Sequence, residues 1–351
     1  MYQFRDDLHQ IPELGFKEFK THNYIINILQ NLNGQIFSLK PTGIIWYLDC
    51  KKTNTIAFRA DMDALAILEE TSIDKISLHH GLMHACGHDG HMALALALAV
   101  YASNNVDKLT NNICVIFQPS EEICGGAKMV VESGILELLN IKCFIALHVW
   151  PKLEKGKLFT KKGSLMASST EIDITIDGES SHIASFRYDC LEVACRYLTT
   201  IYDLKDRDYL FKCGIFNSGK ARNVISNKTI IKGSLRSFLP ESITKFINLL
   251  HQIADGYTND GIRIEIKYDT IYPGVYNDFS LIDQLCSLHD INFFDDEIWQ
   301  SEDFGFYNQI APTAMLFLGL GETSFLHTST FYFPNHYLDF ALEAWIKFLF
   351  L

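Results

Sequence analysis

The sequence predicts an α/β protein with a largely parallel sheet and an inserted ferredoxin-like α+β domain. Apolar runs rich in β-branched residues alternate with segments of helical periodicity in the first half. The pattern changes to period two near Ser169 and then returns to the first type near the C terminus. The chain has 351 residues, whereas single cores stop growing at roughly 250–300 residues. Two domains are therefore expected.

The N-terminal half contains the predicted parallel sheet. Residues 5–32 have apolar positions at helical spacing, and Pro12 and Gly15 divide them into two helices. The stretch GGAKMVVESGILELL predicts another helix. Functional residues in such a fold follow the carboxyl ends of the strands. Four runs predict strands and end in polar residues: GIIWYLD, TIAFRADMD, NNICVIFQPSEE and CFIALHVWP.

The segment from Gly81 to Val100, GLMHACGHDGHMALALALAV, places a cysteine and three histidines at the start of an apolar stretch. The apolar part is shorter than the about 20 residues that a membrane-spanning helix needs. It therefore predicts a buried helix that carries metal-ligand residue types at its beginning.

The inserted domain is predicted from residues 169–283. STEIDITIDGESSH alternates with period two and predicts a strand. This strand and the next four segments give a strand and helix order typical of a ferredoxin-like α+β domain. Residues 1–168 and 284–351 are then expected to form one discontinuous domain. The four segments predict helix, strand, helix and strand: DCLEVACRYLTTIYDL, NKTIIKGSLRSF, ESITKFINLLHQIADGY and IRIEIKYD.

Composition and charge narrow the function classes. Hydrophobic residues make up 48% of the chain and charged residues 21%, which indicates a folded globular protein. The formal net charge of -12 disfavours nucleic acid and anionic membranes as partners, so a small molecule is expected. The nine cysteines form no CxxC pair, which indicates a reducing compartment. With no secretory leader or long apolar run, the sequence predicts a cytoplasmic protein.

Candidate metal ligands occur at three of the predicted strand or helix ends. Cys86 and His88 precede the apolar helix, a Glu pair follows VIFQPS, and His148 follows CFIAL. Parallel strands deliver their carboxyl ends to one edge, where these side chains can converge. Imidazole, thiolate and carboxylate favour Zn²⁺, Co²⁺, Ni²⁺ or Mn²⁺ over Ca²⁺ or Mg²⁺. Taken singly, each residue is equally compatible with a core or capping role.

The adjacent Glu121 and Glu122 have two interpretations. If they extend the strand, they point to opposite sides, so that one can bind a metal and the other can accept a proton. Alternatively, Ser120 caps a helix whose first turn holds both acids, which favours the helix dipole.

Eight motifs follow one another along the chain: RDDLHQIPELGF, RADMDAL, GLMHACGHDGHMA, FQPSEE, ALHVWP, NVI, SEDF and a late LH. In this order they resemble the motifs of the amidohydrolase branch (subfamily D) of the M20 metallopeptidases. The resemblance covers nearly the whole chain. It implies a site for two divalent metal ions and a metallohydrolase activity. Glu121 matches the general base, Asp63 matches a catalytic aspartate, and Asp61 or Asp63 would orient a ligand or form a salt bridge. The implied ligands are Cys86, His88, Glu122, His148 and His327.

The resemblance also implies roles for the inserted domain as a lid and dimerisation domain. His182 matches a histidine that reaches the oxyanion of the scissile carbonyl, and Asn223 and Arg236 match positions near the substrate carboxylate. From the residues alone, His182 and Arg236 are equally typical of exposed strand positions. Glu302 and Asp303 are expected to support the site rather than bind metal. The free edge of the inserted sheet could pair in a homodimer.

The implied reaction is hydrolysis of an N-acyl amino acid. N-acetyl-LL-diaminopimelate, an intermediate of lysine biosynthesis, is the expected substrate, which would give LL-diaminopimelate and acetate. Alternatives are hippurate or indole-acetyl amino acids, a non-catalytic binding module, and an unrelated protein with one structural zinc. The chain departs from the branch at Ala66, where a proline is usual, and at SSHIASF and NSGKARN, which lack family glycines. These changes lie mainly near the lid.

Overall fold

The computed structural model divides the described part of the chain into two compact units. The first unit comprises Met1–Leu165, Val275–Asp296 and Asp303–Leu351. The second comprises Met166–Gly274 and Glu297–Glu302. The structure describes residues 1–185, 189–204, 208–258 and 261–351.

The secondary structure of the described residues alternates strands and helices in the first unit and follows a different order in the second. The strands are β1 (Gln35–Leu39), β2 (Gly43–Leu48), β3 (Thr55–Asp61), β4 (Asn112–Gln118), β5 (Ile141–Trp150), β6 (Leu158–Thr160), β7 (Gly163–Met166), β8 (Ser168–Asp177), β9 (Leu210–Ser218), β10 (Lys228–Ser237), β11 (Arg263–Tyr268), β12 (Val275–Asn277), β13 (Ile291–Phe293) and β14 (Thr313–Gly319). The α-helices are α1 (Tyr2–His9), α2 (Phe19–Leu29), α3 (His88–Asn104), α4 (Glu121–Cys124), α5 (Gly126–Glu132), α6 (Cys190–Tyr202), α7 (Pro240–Asp255), α8 (Phe279–Leu288) and α9 (Leu338–Phe348). Short 3₁₀ helices cover Val106–Lys108, Leu136–Leu139, Asp303–Gln309 and Asn335–Tyr337.

The first unit is built on an eight-stranded sheet with the order β1-β2-β4-β3-β5-β14-β6-β13. Its centre is parallel, because β3 pairs in parallel with β4 and β5, and β5 pairs in parallel with β14. Every residue of β3, β4 and β14 is buried, as is typical of strands covered on both faces. The predicted α/β class with a largely parallel sheet is confirmed.

Helix α3 lies in the core of this unit and carries candidate ligands at its first turn. Its alanine- and leucine-rich sequence favours a helix and leaves no polar face, so the helix is buried against α1, α9 and β3. Gly87 precedes it with φ +86°. A Cβ on Gly87 would lie 2.5 Å from Val149 Cγ2, so the helix can start here only with glycine.

The second unit has the element order β8-α6-β9-β10-α7-β11. Its antiparallel sheet has the order β11-β8-β10-β9, which is the ferredoxin-like arrangement. Alternate residues of β8, Ile172, Ile174 and Ile176, point into its core. Both helices have an apolar face that packs on the sheet.

Most predicted elements are present, and the differences have local causes. The predicted helix over residues 125–139 is divided into α5 and a 3₁₀ turn by Gly134, which has φ +71°. The short strands β6, β7, β12 and β13 are not among the predicted elements, and neither are β1 and β9. Strands β1 and β9 both lie at a sheet edge and carry a mixture of exposed and buried residues, so neither shows a clear alternation.

Two further observations concern the whole described chain. The eight cysteines whose side chains are described are free thiols. Among the helices that the structure describes, none combines the length and the apolar character needed to cross a membrane.

Candidate metal centre

Asp63 connects two of the predicted ligands, His88 and Glu122. The Asp63 carbonyl oxygen lies 2.9 Å from His88 Nδ1, and its carboxylate accepts a hydrogen bond from the Glu122 amide at 3.0 Å. His88 Nε2 faces Glu122 Oε1 at 3.9 Å. Ligand atoms of Cys86, His88 and Glu122 all lie within 4.8 Å of one another. The end of β3 therefore brings these three side chains together.

Cys86 lies between the other two predicted ligands. Its Sγ is 3.4 Å from His148 Nε2 and 3.3 Å from His327 Nε2. His327 Nε2 is also 3.0 Å from Glu122 Oε1. The His327 amide donates to the Ala85 carbonyl at 2.8 Å, and His327 has a left-handed φ of 62°. A strained backbone held by such a contact is common at functional sites.

The tautomers of two histidines fit metal binding. His88 Nδ1 and His148 Nδ1 each donate to a backbone carbonyl, of Asp63 and of Val149 respectively. In the neutral ring, each Nε2 therefore carries the lone pair that a metal requires. His88 Nε2 is buried without a hydrogen-bond partner among the described residues. A buried nitrogen of this kind is costly unless a ligand binds it.

The electrostatics of the site also favour cations. Burial alone would lower the pKa of His88, but the carboxylates of Asp61, Asp63 and Glu122 raise this pKa to about 10. Burial, together with Glu122, raises the pKa of the Cys86 thiol well above its ordinary value. The carboxylates around His88 thus favour a positive charge at this place, and a divalent ion would replace the thiol proton.

A buried polar network supports this cluster from the sheet. Arg59 Nη1 donates to Asp61 at 2.6 Å, and Arg59 Nη2 donates to Asp303 at 3.1 Å. Gln118 Nε2 also donates to Asp303, whose carboxylate accepts the Ala127 amide at 2.9 Å. Asp303 therefore contacts the segment that follows the Glu pair, as expected of a supporting residue.

The other oxygen of Asp61 orients a histidine that was not among the predicted site residues. Asp61 Oδ1 accepts from His91 Nδ1 at 2.7 Å, and His91 Nε2 accepts from the Val149 amide at 3.0 Å. The His91 ring lies 4.6 Å from the ring of His148. The sequence signal was the His88 and His91 spacing of three, which places both on one helix face.

Glu121 and Glu122 begin the short helix α4 after Ser120. The interpretation as the first turn of a helix is therefore correct for the backbone, but the Ser120 side chain makes no capping hydrogen bond. Glu121 is partly exposed, and one of its carboxylate oxygens lies within 4.8 Å of one from Asp303. The Glu122 carboxylate thus joins Cys86 and His88, whereas the Glu121 carboxylate lies beside Asp303.

The predicted residues of the second unit lie in two places. His182 forms an isolated antiparallel bridge with Val224, and the Ile183 amide donates to the Asn223 carbonyl at 3.2 Å. His182 and Asn223 are therefore neighbours. Arg236, on β10, donates to the carbonyl of Trp299 at 2.9 Å. Glu302 is buried in this unit.

His91 gives a first prediction. In His91→Asn, the shorter amide can keep the bond to Asp61 but cannot reach the Val149 amide. Lost outer contacts of metal ligands typically cost 10–100-fold in affinity, so we expect metal affinity to fall by about that factor. This affinity is measured by adding metal to the metal-free protein in the presence of a competing chelator. Unchanged affinity would exclude a role for His91 in orienting the site, and His22→Asn, outside the cluster, is the control.

Buried imidazole, thiolate and carboxylate groups that meet where parallel strands end are typical of α/β metallohydrolases. The chain belongs to Peptidase family M20/M25/M40, which matches residues 57–350. It is accordingly a hydrolase that acts on an amide bond.

Two similar proteins are the N-acetyldiaminopimelate deacetylases of Leuconostoc mesenteroides and Shouchella clausii. The first is 33% identical, with 93% of this chain and 90% of the relative covered. The second is 32% identical, with 99% and 97% covered. A similar solved structure is the Bacillus subtilis YXEP protein, described as a dinuclear metal-binding peptidase of the M20 family. It has a TM-score of 0.88 and 27% identity, with 99% of this chain and 96% of that chain covered.

Proposed function

We propose that the protein is a metal-dependent deacetylase that hydrolyses N-acetyl-LL-diaminopimelate to LL-diaminopimelate and acetate, a step of lysine biosynthesis. The observation that carries the proposal is the convergence of four other proposed ligand side chains on Cys86, with His88 Nε2 buried and without a hydrogen-bond partner among the described residues. The names of the relatives with identity over nearly the full chain support the choice of substrate.

The proposed cofactors are two divalent metal ions held by Cys86, His88, Glu122, His148 and His327. Bound divalent ions would supply a hydrolytic water of lowered pKa and would polarise the acyl carbonyl. Zn²⁺, Mn²⁺, Co²⁺ and Ni²⁺ all suit thiolate, imidazole and carboxylate ligands. Asp63 fixes the tautomer of His88 through its carbonyl and the position of Glu122 through its carboxylate.

Glu121 is the proposed general base. It takes a proton from the attacking water as the oxygen of that water bonds to the acyl carbon. It then delivers the proton to the amine nitrogen as the amide C–N bond breaks. The products are a free carboxylic acid and a free amine.

The second unit supplies the remaining proposed contacts to substrate. His182 donates a hydrogen bond to the acyl oxygen, where charge develops in the transition state. Asn223 and Arg236 bind a substrate carboxylate. We also propose a homodimer through this unit and a cytoplasmic location, which agrees with the free thiols of the described cysteines.

Release of free amine from four substrates tests the proposal. The panel is N-acetyldiaminopimelate, N-acetylmethionine, hippurate and indole-acetyl-alanine, with enzyme that is stripped of metal and reloaded with Mn²⁺, Co²⁺ or Zn²⁺. We expect activity only after reloading, with kcat/KM highest for N-acetyldiaminopimelate. Preference for another member of the panel would overturn the substrate assignment. Activity that survives complete metal removal would overturn the metal mechanism.

A further inference from the structure

The segment Pro12–Glu18, PELGFKE, contacts both turns that carry the candidate catalytic groups, although no role for it follows from the proposed reaction. The Glu13 carbonyl accepts the amide of Ala64, the residue after Asp63, at 2.8 Å. At the other end of the segment, Glu18 contacts the turn that leads to the Glu pair. A single short segment thus holds two separate parts of the site.

Glu18 has no exposed surface and both of its carboxylate oxygens are used. Oε1 accepts from the Ser120 amide at 2.9 Å, and Oε2 accepts from Thr42 Oγ1 at 2.5 Å. Hydrogen bonds in such a buried place are electrostatically stronger than in water. A residue with no exposure that bonds to the turn before the Glu pair is placed to control that turn.

Ser120 needs such control because its backbone is strained. It has φ 51° and ψ 55°, in the left-handed region that non-glycine residues seldom adopt. Strain of this kind costs about 1–3 kcal/mol and persists only where neighbouring contacts impose it. The conformation of Ser120 sets the direction in which α4 leaves β4, and therefore where Glu121 and Glu122 lie.

Gly15 contacts the same residue from another side. A Cβ on Gly15 would lie 2.4 Å from Ser120 Oγ and 2.9 Å from Ser120 Cβ. Both distances are shorter than real contacts allow. As long as Ser120 keeps its present place, only glycine fits at position 15. Glu18 holds Ser120 by a hydrogen bond, and Gly15 leaves the space that Ser120 occupies.

We infer that Glu18 is a positioning residue that fixes the strained Ser120 turn and thereby places Glu121 and Glu122 for the reaction. The inference rests on the proposed function of those two glutamates. Glu18 touches neither substrate nor metal in this account. A purely structural anchor for the N-terminal segment would affect stability without affecting turnover selectively.

The test compares Glu18→Ala with Glu18→Gln. Glutamine keeps an oxygen that accepts from Ser120 and gains an amide that can donate to Thr42, whereas alanine removes both bonds. For Glu18→Ala we expect kcat on N-acetyldiaminopimelate to fall about 10–100-fold with KM within about twofold. Glu18→Gln should recover most of the loss. In the metal-free protein, amide hydrogen exchange of residues 118–124 should become faster in Glu18→Ala only.

Two matched variants separate positioning from general stability. Thr42→Val removes the other hydrogen bond of the Glu18 carboxylate but leaves the Ser120 bond, so kcat should stay within about twofold. Gly15→Ala should reproduce the kcat loss of Glu18→Ala, whereas Gly214→Ala, which meets only one atom at 4.0 Å, should not.

Several outcomes would overturn the inference: unchanged kcat in Glu18→Ala, no recovery in Glu18→Gln, or unchanged exchange of residues 118–124. Failure of the proposed function is recognised separately. If Glu121→Gln retains full turnover, Glu121 is not the base, while the exchange of the metal-free protein still reports whether Glu18 holds the turn.

Discussion

Replacement of Glu121 by glutamine is expected to lower kcat on N-acetyldiaminopimelate about 10²–10⁴-fold, the usual contribution of a general base. Glutamine has the shape of glutamate but cannot accept the proton of the attacking water. Glu121 is not among the proposed ligands, so the metal content of the purified variant should equal that of the unmodified protein. Steady-state kinetics and elemental analysis of the same preparation measure both quantities.

The neighbouring glutamate provides the sharpest comparison. Glu122→Gln should lose bound metal, because Glu122 lies within 3.0 Å of His327 and 3.9 Å of His88 at the centre of the ligand set. Glu132→Gln, on the exposed surface of α5, should change neither metal content nor kcat. Full turnover by Glu121→Gln, or loss of metal from it, would exclude the base assignment.

Replacement of Arg59 by methionine is expected to reduce the free energy of unfolding of the first unit by about 3–5 kcal/mol, the usual cost of removing one partner of a buried ion pair. Arg59 has a side chain that is 1% exposed, and it bonds to both Asp61 and Asp303. Burial opposes the ionised form of Asp61, but His88, His91 and Arg59 together hold its pKa well below the ordinary value. Without Arg59, two buried carboxylates lose their shared partner.

Urea unfolding followed by tryptophan fluorescence measures this loss, because Trp46 and Trp345 are fully buried in the same unit. Arg196→Met is the matched control. Arg196 lies on α6 and pairs with Glu192 at 2.8 Å, but its side chain is 68% exposed. Exposed pairs contribute little, so its unfolding free energy should change by less than about 1 kcal/mol. An Arg59→Met variant as stable as this control would show that the buried network does not support the sheet.

The sequence alone predicted the groups that meet at the candidate centre. Cys86 precedes α3, His88 begins it and His148 lies near the carboxyl end of β5. The apolar patterns of these elements are clear in the sequence, and parallel strands deliver their ends to one edge. The α/β class, the two helices at the N terminus and the α+β pattern after Ser169 follow from the same local regularities. These features depend on residues close together in the chain, which a pattern in the sequence records directly.

The choice of hydrogen-bond partners was decided only by the tertiary structure. The sequence left open which histidine Asp61 or Asp63 would orient, and in the structure the shortest histidine contact of Asp61, 2.7 Å, is to His91. Arg59 joins Asp61 to Asp303, which is 244 positions away in the chain. Likewise, Glu18 reaches the Ser120 amide across 102 positions. Such bonds depend on the direction in which each side chain leaves its element and on which groups are buried together, and neither property is a local feature of the sequence.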